Sequence, residues 1–201
     1  RDGNLDAGVR VFLDGGYDGV VALGGGSGLD LAKLIAFAAR QTLPVWDFED
    51  VGDNWTRADA DAIAPVVAIP TTAGTGSEVT IAAVVSDPEN KKKMSVIDPK
   101  LVPHMAALDG ALMTGLPAPI TAATGMDALT HAVESYVDVD ASPHSEALAV
   151  AAIKHIFKYI VRATKKGDDL EARGGMLIAA NMAGSAFSHS MVGCVHAMGH
   201  A

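Results

Sequence analysis

Residues 19–41, GVVALGGGSGLDLAKLIAFAARQ, constrain the fold more than any other stretch of the chain. A short apolar run stops at three consecutive glycines. A helical pattern then begins, with Leu31, Leu34, Ile35 and Ala38 on one face. A run that is apolar at every position has no side to give to water, so residues 19–24 read as a strand covered on both faces, as in parallel sheets. Strand, glycine turn and helix, in that order, form the building unit of a wound α/β fold.

The same punctuation returns at residues 64–72, APVVAIPTT, a second buried strand that runs into a turn rich in hydroxyls. Residues 78–87, 93–98 and 104–109 read as further strands, with a turn, DPENKK, between the first two. The expectation for residues 1–110 is an α/β dinucleotide-binding domain with a mostly parallel, doubly wound sheet. After Gly110 the β-branched runs fade. The stretch LPAPITAATGMDALTHAVESYVD opens on prolines suited to a helix start, residues 142–167 read as a long helix stopped by glycine, and residues 168–190 as another. Residues 111–201 are therefore expected to form an all-α domain. Both ends break off in mid-pattern, at RDGNLDAGVR and VHAMGHA, so the sequence reads as a piece of a longer chain, short of residues in the first domain and in the second.

Composition narrows the function. Apolar residues make up 49% and charged residues 19%, enough to bury a core. A net charge of −9 argues against a nucleic-acid surface. No apolar stretch has the length of a membrane span, and the N-terminus lacks a signal-peptide core. One cysteine, Cys194, rules out a disulfide within the chain and suits a reducing, cytoplasmic setting.

Three constellations carry chemistry. The strand-end glycines of ALGGGSGLDLAK let a backbone approach a phosphate, and the free amides of the following helix favour an anion. The G-x-G-x-x-G fingerprint is absent, since Leu29 and Leu31 stand at its last position, and ordinary turns use glycine too. IPTTAGTGSEVT sets Thr71, Thr72, Thr75, Ser77 and Thr80 at a second strand end, which suits either a nucleotide or a satisfied turn. Two such strand ends in one sheet favour a nucleotide crevice. In TGMDALTHAVESY, Asp127 and His131 are four apart and share a helix face, as metal donors or as a core hydrogen-bonded pair. SHSMVGCVHAMGH adds His196 and His200, again four apart, with His189 on a similar face and Cys194 read as a small core residue. The zinc-hydrolase signature H-E-x-x-H does not fit, because Ala197 follows His196. His104, His144 and His155 read as structural or solvated. Lys91, Lys92 and Lys93 form a charged edge from which one lysine could reach a cofactor.

The ordered set GGGSGLDLAK, PTTAGTGSEVT, DPKLVP…LD, TGMDALTHAVESY and VHAMGH resembles the iron-containing (group III) alcohol dehydrogenase family across nearly the whole chain. The resemblance implies a nucleotide-binding α/β domain followed by a helical metal domain, an architecture shared with dehydroquinate synthase. It implies Asp127, His131 and His196 as metal ligands, a fourth histidine ligand further downstream, and His200 beside the substrate as a catalytic, non-ligand residue. It implies Gly26, Ser27, Thr71, Thr72, Thr80 and Lys93 as cofactor-binding residues. The cofactors implied are NAD or NADP and Fe(II), with zinc accepted by the same donors. The partners are a small alcohol or aldehyde and further copies of the chain in a homo-oligomer. The competing expectations are a zinc- and NAD-dependent sugar-phosphate cyclase of the dehydroquinate synthase type, whose first ligand is a glutamate where this chain has Asp127, and an inactive, truncated nucleotide-binding module.

Overall fold

The structure, a computed structural model, describes residues 2–87 and 92–200. Helix α1 (Asp2–Asp14) leads into strand β1 (Val20–Gly24), helix α2 (Gly26–Ala38) and strand β2 (Val66–Pro70). Strands β3 (Ala82–Asp87), β4 (Lys92–Ile97) and β5 (Met105–Ala106) follow. Helices α3 (Ala118–Val137), α4 (Pro143–Lys165), α5 (Leu170–Ser190) and α6 (Cys194–His200) complete the described chain. The α/β part followed by helices is the expected fold class.

β1, β2 and β5 form a parallel sheet in that order. Val20 pairs with Val66 and Gly24 with Pro70, so the two turns that carry the glycines and the hydroxyls emerge side by side at one edge. The expected parallel sheet is present, but two of the strands read into it stand outside it. β3 and β4 pair antiparallel, Ala82 opposite Ile97, in a separate two-stranded ribbon. The turn expected between them falls on residues 88–91, outside the described residues. Residues 78–81 are not strand, because Ser77–Val79 coil into a 3-10 turn. The strand expected at residues 104–109 pairs only over Met105 and Ala106.

Helix α2 explains why the ribbon stands apart. Leu29 and Ala36 pack on the parallel sheet with Ala22, Val66 and Ala68. Leu34 and Phe37 pack beneath the ribbon with Ala83, Val85, Met94 and Val96. The helix is covered on two sides, so its sequence is apolar nearly all round. Helix α1, which the sequence reading left without an element, adds Leu5 to one of these clusters and Phe12 to the other.

In the helical part, α3, α4 and α5 pack on one another. Ala132, Ala152 and Ala183 meet where they cross, and side chains this small let the backbones approach closely. Ser142 caps α4 through a reciprocal pair with Ser145, and the Asp169 carboxylate caps α5 by accepting from Ala172 N. Two further readings are corrected here. α5 stops at Ser190, Met191 adopts φ 71°, and α6 starts afresh at Cys194. His189 therefore does not share a helix with His196 but lies against His144, ring centroids 5.2 Å apart. Cys194 is exposed rather than a core residue. Among the described residues no helix is long and apolar enough to cross a membrane.

The two parts of the chain meet at a pair of glycines. Gly76 has φ +64°, and a Cβ there would lie 2.7 Å from Gly184 Cα on α5. A Cβ on Gly184 would lie 2.9 Å from Gly76 Cα. Neither backbone can give way without moving the turn or the helix. Gly184→Ala is expected to lower the unfolding free energy by about 1–3 kcal/mol, the range for overpacking a close contact. Urea denaturation of the variant beside the wild type checks this, and an unchanged midpoint contradicts the packing account.

Candidate metal centre

Helix α3 presents Asp127, His131 and Glu134 along one stripe, since residues at i, i+4 and i+7 lie above one another. Helix α6 brings His196 to the same stripe. Asp127 Oδ1 lies 4.0 Å from His131 Nε2 and 3.7 Å from His196 Nε2. The two imidazoles stack, with centroids 4.4 Å apart and planes 14° from parallel. On its other side the His131 ring meets Phe187 at 4.5 Å. One ligand atom from each of Asp127, His131 and His196 falls within 4.8 Å of the others. Two donors sharing one ion at about 2.1 Å each stand roughly 3–4 Å apart. This set of one carboxylate and two imidazoles therefore fits a divalent transition metal.

For His131 the electrostatics agree with such use. Burial pulls the His131 imidazole below its ordinary pKa and favours the neutral ring that a ligand needs. Hydrogen bonding to Asp127 raises that of His196; burial opposes this, and Glu134 adds to it. Burial pushes the Glu134 carboxyl up, but hydrogen bonds from His196, Gly193 and Val195 outweigh it and hold the group below its ordinary value.

A cavity of about 240 Å³ opens from this cluster toward the α/β part. Asp127, His131 and His196 line one end with Phe187, Met191 and Val192, while Thr75, Ser77, Thr80 and the ribbon residues Ser95 and Ile97 line the other. The turn that supplies Thr80 is held from below by Lys33, only 1% exposed. The Lys33 ammonium donates to the carbonyls of Ser77 (3.0 Å), Thr80 (2.8 Å) and Ala82 (2.7 Å) and to Thr80 Oγ1 (3.3 Å). Asp30, one turn before Lys33, accepts from Ser77 Oγ and from Val84 N. Glu78 accepts from Asn181 Nδ2 on α5 at 3.1 Å. Burial pulls the Lys33 amine down to about 8 against the attraction of Asp30 and Glu78.

These features point to one group of proteins. The profile of the iron-containing alcohol dehydrogenases matches residues 1–110, and that of the C-terminal part of the same family matches residues 121–201. The chain belongs to the iron-containing alcohol dehydrogenase family. An NAD-dependent methanol dehydrogenase of Bacillus methanolicus is 44% identical over 199 residues, 99% of this chain and 51% of that protein. The structure of a 1,3-propanediol oxidoreductase superposes with a TM-score of 0.93 at 40% identity, covering 100% of this chain and 51% of the other. Sulfoacetaldehyde reductase from Bifidobacterium kashiwanohense, in complex with NAD+, superposes with a TM-score of 0.89 at 33% identity, covering 96% of this chain and 50% of the other. The chain thus spans about half the length of the relatives it matches.

The remaining sequence-predicted residues lie on the two turns, on the ribbon and at the end of α6. Gly26 and Ser27 open α2, and a Cβ on Gly26 would collide with Thr75 at 2.5 Å, so the glycine turn rests on the hydroxyl turn. Thr71 and Thr72 follow β2 directly, and Thr71 N donates to Gly24 O at 2.9 Å. Of the six cofactor candidates Thr80 lines the cavity, while Lys93 is exposed on the same face of β4 as Ser95 and Ile97. His200 ends α6 with its side chain outside the described residues, and Lys91 is likewise outside them. Lys33 and Glu134 escaped the sequence reading. Lys33 looked like the polar side of an amphipathic helix, whereas Glu134 continued the spacing of Asp127 and His131 by one more turn and was legible in principle.

Replacing Lys33 with methionine removes the donor for three carbonyls. Each buried acceptor left unpaired costs about 1–3 kcal/mol, so Lys33→Met is expected to lower stability by about 3 kcal/mol or more. The folded chain sheds this proton near 8 and the unfolded chain near 10.5. Between those values the unfolded state holds more protons, so this group's contribution to stability rises with pH. The gap between wild type and variant should widen over that window in urea titrations, and a gap that narrows contradicts the burial assigned to Lys33.

Proposed function

We propose that this chain supplies the dinucleotide crevice and three metal donors of an NAD-dependent alcohol dehydrogenase, which transfers a hydride between a small alcohol and the nicotinamide cofactor. The observation that carries this reading is the single cavity wall shared by Thr75, Ser77 and Thr80 on one side and Asp127, His131 and His196 on the other. Residues 1–110 hold the cofactor and residues 111–201 the metal. Asp127, His131 and His196 hold a divalent ion, Fe(II) by family membership, though zinc takes the same donors. When bound, such an ion acts as a Lewis acid on the oxygen of the alcohol or carbonyl and lowers the pKa of the alcohol.

The chain's own residues do the rest. Gly26 and Ser27 place α2's first amides at the crevice, where they favour a phosphate. Thr71, Thr72 and Thr80 offer hydroxyls to the dinucleotide, with Lys93 at the ribbon's outer end. Phe187, Met191 and Val192 exclude water around the reacting carbon. His200 relays the alcohol proton or shapes the substrate pocket. NAD is favoured over NADP by the names of the methanol dehydrogenase and of the NAD+ complex, and methanol and 1,3-propanediol, named for relatives, favour short primary alcohols. The lone cysteine supports a cytoplasmic setting, and a homo-oligomer follows from family resemblance. The cyclase alternative is not favoured: the matching profiles are those of alcohol dehydrogenases, and the first donor is Asp127 rather than glutamate.

His131→Ala is expected to abolish alcohol-dependent NAD reduction by the protein purified without oxygen and to remove its bound iron. Dinucleotide binding, read by fluorescence titration with NADH, should persist. Full turnover in the variant, or a wild type free of metal, contradicts the reading.

A further inference from the structure

We infer that Glu134 is the positioning residue of this centre: one carboxylate that sets the tautomer of His196 and ties down the helix carrying it. The inference rests on the metal reading above. Glu134 is 6% exposed, so its charge is not spent on water. Its two oxygens serve two different donors. Oε1 accepts from Val195 N at 2.6 Å, and Oε2 from His196 Nδ1 at 2.5 Å. Gly193 fits because it lacks a side chain; a Cβ there would stand 3.2 Å from Glu134 Oε1.

Helix α6 needs this help. A helix start leaves backbone amides without partners, and a serine, threonine, aspartate or asparagine just before it usually supplies the acceptor. Here Val192 and Gly193 precede Cys194, and neither has a side-chain oxygen. The acceptor comes instead from α3, 61 positions earlier in the chain. The same carboxylate demands a hydrogen on His196 Nδ1, which in the neutral ring puts the lone pair on Nε2, the atom 3.7 Å from Asp127 Oδ1. His131 is held differently. Its Nδ1 has no well-formed hydrogen bond among the described residues, and the ring is wedged between His196 and Phe187. Glu134 hydrogen-bonds the second imidazole and not the first, so the tautomer it sets is that of His196.

Glu134→Gln separates aiming from tethering. The amide keeps the shape and an oxygen for Val195 N, but it turns an N–H toward His196 Nδ1. That favours the other tautomer, with a hydrogen on Nε2 where the ion would bind. Co2+ affinity, measured by competition with a chromophoric chelator, is expected to fall about 10–100-fold, the usual cost of losing a partner behind a ligating histidine. NADH affinity should stay at the wild-type value, and a cooperative urea transition should show that the variant is still folded. Long-range 15N–1H spectra of the metal-free protein, at a pH that keeps the ring neutral, should show hydrogen on Nδ1 of His196 in the wild type and on Nε2 in the variant. Equal Co2+ affinity in the two proteins overturns the inference, as does a metal-free wild type carrying its hydrogen on Nε2. The second reading stands even if the glutamine variant unfolds. A wild type that takes up no Co2+ overturns the metal reading itself, while the tautomer measurement still decides what Glu134 does.

Discussion

A buried ammonium sits beneath the turn on which both parts of the chain depend. Lys33 reaches from the middle of α2 to three carbonyls of the 77–82 segment, in which only Ala82 belongs to a strand. A lysine without water around it is costly, and here carbonyls and the nearby carboxylates of Asp30 and Glu78 offset that cost. The return is a turn with a fixed shape. Its upper side gives Thr75, Ser77 and Thr80 to the cavity, and its flank gives Gly76 to α5. Helix α5 in turn carries Phe187 to the His131 ring. The position of an imidazole on α3 is thus connected, through a glycine contact and a phenyl ring, to an amine on a helix of the other fold class.

Much of this was legible in the sequence where a residue's chemistry is local. Three glycines at a strand end, a hydroxyl-rich strand end, and a carboxylate and imidazole four residues apart carry their geometry within a few positions; the hydroxyl turn and the Asp127–His131 pair line one cavity, and the glycine turn rests against the hydroxyl turn. What escaped was set at long range. Nothing in LDLAK says that the lysine points inward, because its acceptors lie 44 to 49 positions later. The ribbon of β3 and β4 reads, residue by residue, like parallel strands, since α2 covers it on one side as it covers the sheet on the other. His189 and His196 matched a helical period across a boundary that depends on one residue, Met191, in a conformation non-glycine residues rarely take.

The donors reach the cluster by unequal routes. Asp127 and His131 ride on a helix of 20 residues packed against two others, and their separation is fixed by the helix itself. His196 rides on a helix of 7 residues. Isolated helices of that length are not stable in water, so α6 keeps its form only through what it touches. Glu134 joins α6 to α3 by hydrogen bonds to both the backbone and the ring, beside the contact of Asp127 with the same ring.

Thr80 has a consequence of its own. Its hydroxyl hydrogen points to Ala82 O, and one of its lone pairs is taken by the Lys33 ammonium, both at 3.3 Å. A hydroxyl in that state has a single vacancy, and it is electron-rich. A group that reaches Thr80 Oγ1 therefore meets an acceptor before a donor. That preference is set by Lys33, a side chain that lies outside the opening.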